Sequence, residues 1–135
     1  MKSISFKVPL YNVDVTCVQV ESKKDAKHVV AMARRFNISK ENLDFMRESI
    51  NAEGKNGGGT YCLLSTLQIF VVFYEMTSIK DMANTYFHEK RHVEDRILQH
   101  YLVDDVESAA LLAGFLGEHF TDFLIKNANA RLQKH

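Results

Sequence analysis

SIKDMANTYFHEKRHVEDRILQHY, Ser78 to Tyr101, is the stretch on which the fold turns. Ser78 is followed by Ile79, Met82, Ala83, Tyr86, Val93, Ile97 and Tyr101, an apolar spacing of three and four that predicts one amphipathic helix from Ile79 to Tyr101. Downstream, Asp104 and Asp105 form a polar break. Val106, Ala109, Ala110, Ala113, Phe120, Phe123 and Leu124 then predict a last helix of similar length, folded back antiparallel by the short connection. Upstream, Leu67 to Tyr74 is apolar but for Gln68, which suits a buried strand and is far short of the ~20 residues a membrane-crossing helix needs.

Farther out the period changes. Ser3 to Leu10 alternates in character, and Val13 to Val20 begins the same way with Val13, Val15 and Cys17 before ending in Val18 and Val20, so two short strands are expected, separated at Pro9 and Asn12. Ala26, Val29, Val30, Ala33 and Phe36 predict a helix over Lys23 to Arg35 capped by Ser22. Ser39 with Leu43, Met46 and Ile50 suggests a shorter one. Gly54-Lys55-Asn56-Gly57-Gly58-Gly59 reads as a loop, either a mobile connection or a lid, because consecutive glycines lose much entropy in a regular element. It is no phosphate-binding loop, since the glycines run into Thr60-Tyr61-Cys62-Leu63-Leu64, which looks like strand. Strands, helices, strands and then two long helices make one α+β domain over residues 1–135, with the two long packed helices carrying the candidate metal site.

Composition narrows the class. Lys plus Arg and Asp plus Glu both number 17, so there is no basic excess to neutralise the phosphates of a nucleic acid. The N-terminal segment carries Lys2 and Lys7 and lacks the apolar run of a signal peptide, so a cytoplasmic location is expected, with no membrane partner. Cys17 and Cys62 sit in apolar stretches without CxxC spacing, where a cysteine usually behaves as a small hydrophobe, with a disulfide between them or a metal-ligand role as the alternatives.

The chemistry lies in His88-Glu89-Lys90-Arg91-His92. Residues four apart on a helix are one turn apart on nearly one face, so His88 and His92 can present two imidazoles to one ion. Glu89 adjoins the first of them, where a carboxylate can take a proton from water without being a ligand. The apolar stripe lies on another face and does not explain the histidines. A catalytic zinc takes three protein ligands and keeps one open position. Three candidates follow for the third. His100 stands ~18 Å along the helix from His88, too far to share its ion. His119 lies three turns along the last helix from Glu107 and serves only if that helix is placed differently. Glu107 is the best placed, because Ala110, Gly114 and Gly117 form a strip of small side chains on its face that would let the two helices approach closely. A first-turn glutamate favoured by the helix dipole is the plain alternative.

HEKRH followed by Glu107 in Glu107-Ser108-Ala109-Ala110 resembles the gluzincin branch of the zincin metallopeptidases, in which HExxH is completed by a glutamate on a following helix. The compact size and the run Asp105 to Gly114 resemble small prophage-type zincin proteins. The resemblance implies a small zincin-like domain, His88, His92 and Glu107 as zinc ligands, Glu89 as general base, a peptide or protein substrate, and an edge for it on the strand Leu67 to Tyr74. It departs at Leu111, where thermolysin-like gluzincins place an aspartate that orients a zinc histidine, leaving Asp105 or Ser108 as substitutes. No oxyanion donor is assignable. Two functions follow as expectations: a minimal zinc metallopeptidase, or a non-catalytic zincin-like phage accessory or binding protein in which the metal only pins two helices together.

Overall fold

The computed structural model describes residues 1–52, 57–63, 65 and 67–133. Along the chain run β1 (Lys2–Val8), β2 (Val13–Gln19), a single 3-10 turn (Lys23–Asp25), α1 (Ala26–Arg34), α2 (Lys40–Asn51), β3 (Gly58–Leu63), β4 (Gln68–Phe73), α3 (Ile79–His100) and α4 (Val106–Gln133). The strands form one mixed sheet in the order β1-β2-β4-β3, antiparallel at both ends and parallel between β2 and β4. The chain is therefore α+β, with two long helices packed on each other.

Alternation along the strands assigns the two faces. Val13, Val15 and Cys17 of β2 and Ile69, Val71 and Phe73 of β4 join a core with Met82, Tyr86, Val93 and Ile97 of α3 and Leu112, Leu116, Phe120 and Phe123 of α4. Val18 and Val20, with Phe70, Val72 and Tyr74, point the other way into a second core with Val29, Val30 and Ala33 of α1 and Leu43, Met46 and Ile50 of α2. Strand β2 loses its simple alternation at Val18 because from there helices cover both faces of the sheet. The unbroken apolar run of β4 has the same cause.

Three sequence expectations change here. The first helix begins as a 3-10 turn, with Asp25 Oδ2 accepting from the Glu21 and Ser22 amides at 2.8 and 3.2 Å. Gly58 and Gly59 belong to β3 rather than to a loop, while Gly54 to Asn56 lie outside the described residues. The edge expected of Leu67 to Tyr74 is not there either: β4 has β2 on one side and β3 on the other, and among the described residues the edge strands are β1 and β3, of which β3 lies beside α3.

Helix α3 matches its sequence reading closely. Ser78 caps it by accepting from the Asp81 amide at 3.0 Å. Its far end closes with Leu102 N–H bonded to Gln99 C=O and Val103 N–H to Leu98 C=O, the Schellman arrangement. Leu102 is left-handed there (φ 55°) and almost fully exposed, a conformation that costs a side chain with a Cβ ~1–2 kcal/mol. Leu102→Gly is therefore expected to raise stability by about 1 kcal/mol, read as a higher urea midpoint with unchanged slope; a lower midpoint contradicts this account of the turn.

A polar knot ties α3 to the sheet. The Tyr86 hydroxyl donates to Gln19 Oε1 at 2.7 Å and accepts from Asn127 Nδ2 at 3.0 Å, while Gln19 Nε2 donates to backbone carbonyls at Val20, Phe73 and Tyr74. Tyr86 also stacks on Phe73, ring centroids 3.8 Å apart. Buried groups so satisfied hold one orientation of the helix. That orientation decides which residues of α3 face the edge strand.

Candidate metal centre

On α3, Met82, Tyr86, Val93 and Ile97 point into the core and Glu89 lies in the same buried stripe, only 3 % exposed. One residue back and three on, His88 and His92 sit on the exposed flank. Their Nε2 atoms are 3.1 Å apart, with the rings at 80° to one another. Two nitrogens held by one tetrahedral zinc at ~2.0–2.1 Å each would be about 3.3–3.4 Å apart, so the pair is already close to the spacing of two ligands. A Glu89 carboxylate oxygen lies within 4.8 Å of both nitrogens, and among the described residues these three are the only such group.

Glu89 is held from the strand side. Thr60 of β3 donates its hydroxyl to Glu89 Oε1 at 3.4 Å. Burial pushes the Glu89 carboxyl above its usual range; the His92 and His88 charges and the Thr60 hydrogen bond pull the other way without cancelling it. A carboxyl with a raised pKa beside two imidazoles, facing a cleft, is suited to taking up a proton.

The cleft owes its shape to glycine. Gly57 has φ 122°, a conformation other residues rarely adopt. A Cβ on Gly58 would lie 2.5 Å from the Val72 carbonyl oxygen of β4 and 3.3 Å from Glu89 Cγ of α3, so glycine is what fits where β3 lies against both. The resulting open cleft of ≈ 450 Å³ is lined by Gly57, Gly58, Asn84, Thr85, His88, Glu89 and His92.

The other candidates lie elsewhere. Glu107 is exposed at the start of α4 and is not part of the group. A Cβ on Gly117 would touch Lys90 Cε of α3 at 3.4 Å, and Glu107 precedes Gly117 by ten residues, ~15 Å along the axis. The small strip does not face α3 as expected. Gly114 is exposed and a Cβ there would meet nothing within 4 Å; of the strip, Gly117 alone approaches α3, beside Lys90 Cε. His119 stacks on Phe6, centroids 4.2 Å apart, and His100 is exposed near the far end of α3. Asp105 accepts from the Ser108 amide at 2.8 Å, so Asp105 caps the first turn of α4, in which Ser108 lies, rather than orienting a histidine. Cys17 is a buried free thiol and Cys62 a half-buried one.

Sequence reasoning missed Thr60, Gly58 and Asn84. Asn84 carried a signal, since it stands one turn before His88 on the same face. Thr60 and Gly58 carried none, because strand pairing alone brings them to α3. Compared with known protein families, curated proteins and solved structures, the chain matches none. No helix among the described residues is long and apolar enough to cross a membrane.

Proposed function

We propose that this protein is a zinc-dependent hydrolase of the zincin type, a minimal metallopeptidase with His88 and His92 as metal ligands and Glu89 as general base. The observation that carries the reading is the 3.1 Å approach of the two imidazole nitrogens beside a buried carboxylate at an open cleft. Zinc, when bound, supplies a Lewis acid that polarises a carbonyl and acidifies water. Glu89 takes the water proton and passes it to the leaving amine. Asn84, exposed on the cleft wall one turn from His88, is the amide donor for the substrate oxygen. An extended peptide lies along the outer edge of β3, an edge strand whose Thr60 donates to Glu89. The even charge balance favours a peptide over a nucleic acid.

Kinship with gluzincins and with small prophage-type zincins is part of this proposal, with one amendment. Glu107 stands outside the group, so the third coordination position belongs to solvent or to Glu89 itself. The latter gives the second reading, a non-catalytic module in which His88, Glu89 and His92 all hold the metal, and it is supported by a carboxylate oxygen lying within 4.8 Å of both imidazole nitrogens.

Glu89→Gln separates the two. On the catalytic reading the variant keeps zinc within a few-fold of the parent and loses ~10²–10⁴-fold in peptide hydrolysis, because the amide keeps the shape but cannot accept the proton. Loss of zinc from Glu89→Gln makes the residue a ligand and rejects its role as base. The same variant has a metal-free signature. Since the folded pKa of Glu89 is raised, the charged form is penalised in the native state, and stability falls as pH rises from the ordinary glutamate range through the raised value. Metal-free Glu89→Gln is thus expected to be more stable than the parent at pH 7 and to lose that advantage below pH ~4.

A further inference from the structure

Beyond His92 the same row of α3 continues to Arg96. Asn84, His88, His92 and Arg96 follow one another at four-residue intervals, all exposed. The other basic residues of this part of the helix are paired, Lys90 with Glu94 at 3.3 Å and Arg91 with Asp95 at 3.3 Å. No ion pair to Arg96 is present among the described residues. Its own sequence explains why: the residues three and four away on either side are Val93, His92, Gln99 and His100, none of them acidic.

Arg96 also lines a second cleft, of ≈ 380 Å³, that continues past the metal centre along β3. Thr60 links the two, lining this cleft while donating to Glu89. Across it stand Asn37, Ser39 and Asn42, and among the described residues no acidic one lines it. A guanidinium without a carboxylate partner, in a polar cleft lacking negative charge, is complementary to an anion supplied from outside. His92 and Arg96 are ~6 Å apart along α3, and an extended chain advances ~3.3 Å per residue, so the complement falls two residues from the position over the histidines.

We infer that Arg96 is the specificity-determining residue of the site and selects peptides carrying a carboxylate two residues from the scissile bond. This rests on the peptidase reading proposed above. The carboxylate belongs to an internal Asp or Glu side chain or to a chain terminus, and the experiment separates these.

The test uses zinc-loaded wild-type protein and extended peptide hydroxamates, the hydroxamate at either end so that both strand directions are covered. Each set carries Asp or Asn two residues from the hydroxamate; in the set with the hydroxamate at the N-terminal end, a shortened peptide ends in a free carboxylate at that place. Wild type is expected to bind the Asp peptide about tenfold more tightly than the Asn peptide in one set. Arg96→Gln removes this preference without changing affinity for the Asn peptide, and Arg96→Glu turns it toward a Lys peptide. Equal preference for the shortened peptide assigns the recognition to a terminal carboxylate; preference for Asp alone assigns it to a side chain. Peptides that bind well in both sets without charge preference overturn the role of Arg96 and leave the peptidase reading standing. Failure of every peptide to bind the zinc-loaded protein overturns both.

Discussion

Zinc is expected to bind the parent protein near one ion per chain and to raise its melting temperature, and both effects should vanish in His88→Ala and in His92→Ala. An ion that binds only the native state stabilises it by RT ln(1 + [L]/Kd), about 2.7 kcal/mol at a hundredfold excess over Kd. Removing either imidazole takes away half of the 3.1 Å pair proposed to bracket the ion, and the single imidazole left would hold zinc weakly. An affinity loss of at least ~100-fold follows, with no thermal shift at zinc concentrations that saturate the parent. Glu107→Ala and Gly114→Leu belong in the same titration. Glu107 lies outside the group and Gly114 faces open space, so both variants should bind zinc as the parent does. A large loss in Glu107→Ala would mean that α4 shifts to bring its first turn to the metal, restoring the gluzincin ligand set. Unchanged zinc binding in both histidine variants would reject the site itself.

Gly58→Ala should be the most damaging single-methyl change near the centre. The new Cβ would stand 2.5 Å from a backbone oxygen of the neighbouring strand, which cannot move aside without breaking the β3–β4 ladder. Its other close contact is Glu89 Cγ, so any relief pushes the carboxylate away from Thr60 and the histidines. Overpacking of this kind costs ~1–3 kcal/mol, and the affected strand edge is the one the substrate is proposed to use. Gly59→Ala is the control. Its Cβ would meet the outer end of the Tyr61 ring at 3.0–3.2 Å, and that side chain can swing. Urea denaturation with a parallel zinc titration should show Gly58→Ala losing both stability and affinity, and Gly59→Ala losing much less of either. Equal behaviour of the two would show that the close approach of β3 to α3 is not what shapes the site.

The chain's local chemistry was enough to locate most elements and the pair of histidines. Ser78, the three-and-four spacing from Met82 to Ile97 and the polar break at Asp104-Asp105 delimit α3 in the sequence almost as the structure does, because capping and amphipathic period are properties of neighbouring residues. HExxH was legible for the same reason: a four-residue spacing on a helix is a local distance, and the structure brings His88 Nε2 and His92 Nε2 together within 3.1 Å. Glu107 could not be judged that way. Its place depends on the turn at Leu102-Val103 and on which face of α4 meets α3, and the core residues Leu112, Leu116, Phe120 and Phe123 decided that face against the strip of small ones. Thr60, Gly58 and the open edge of β3 depend on strand order, in which β4 pairs with β2 across a long stretch of chain and so takes the interior place. Contacts between residues far apart in the chain are selected by the burial of both sheet faces together, and no window of sequence contains that sum.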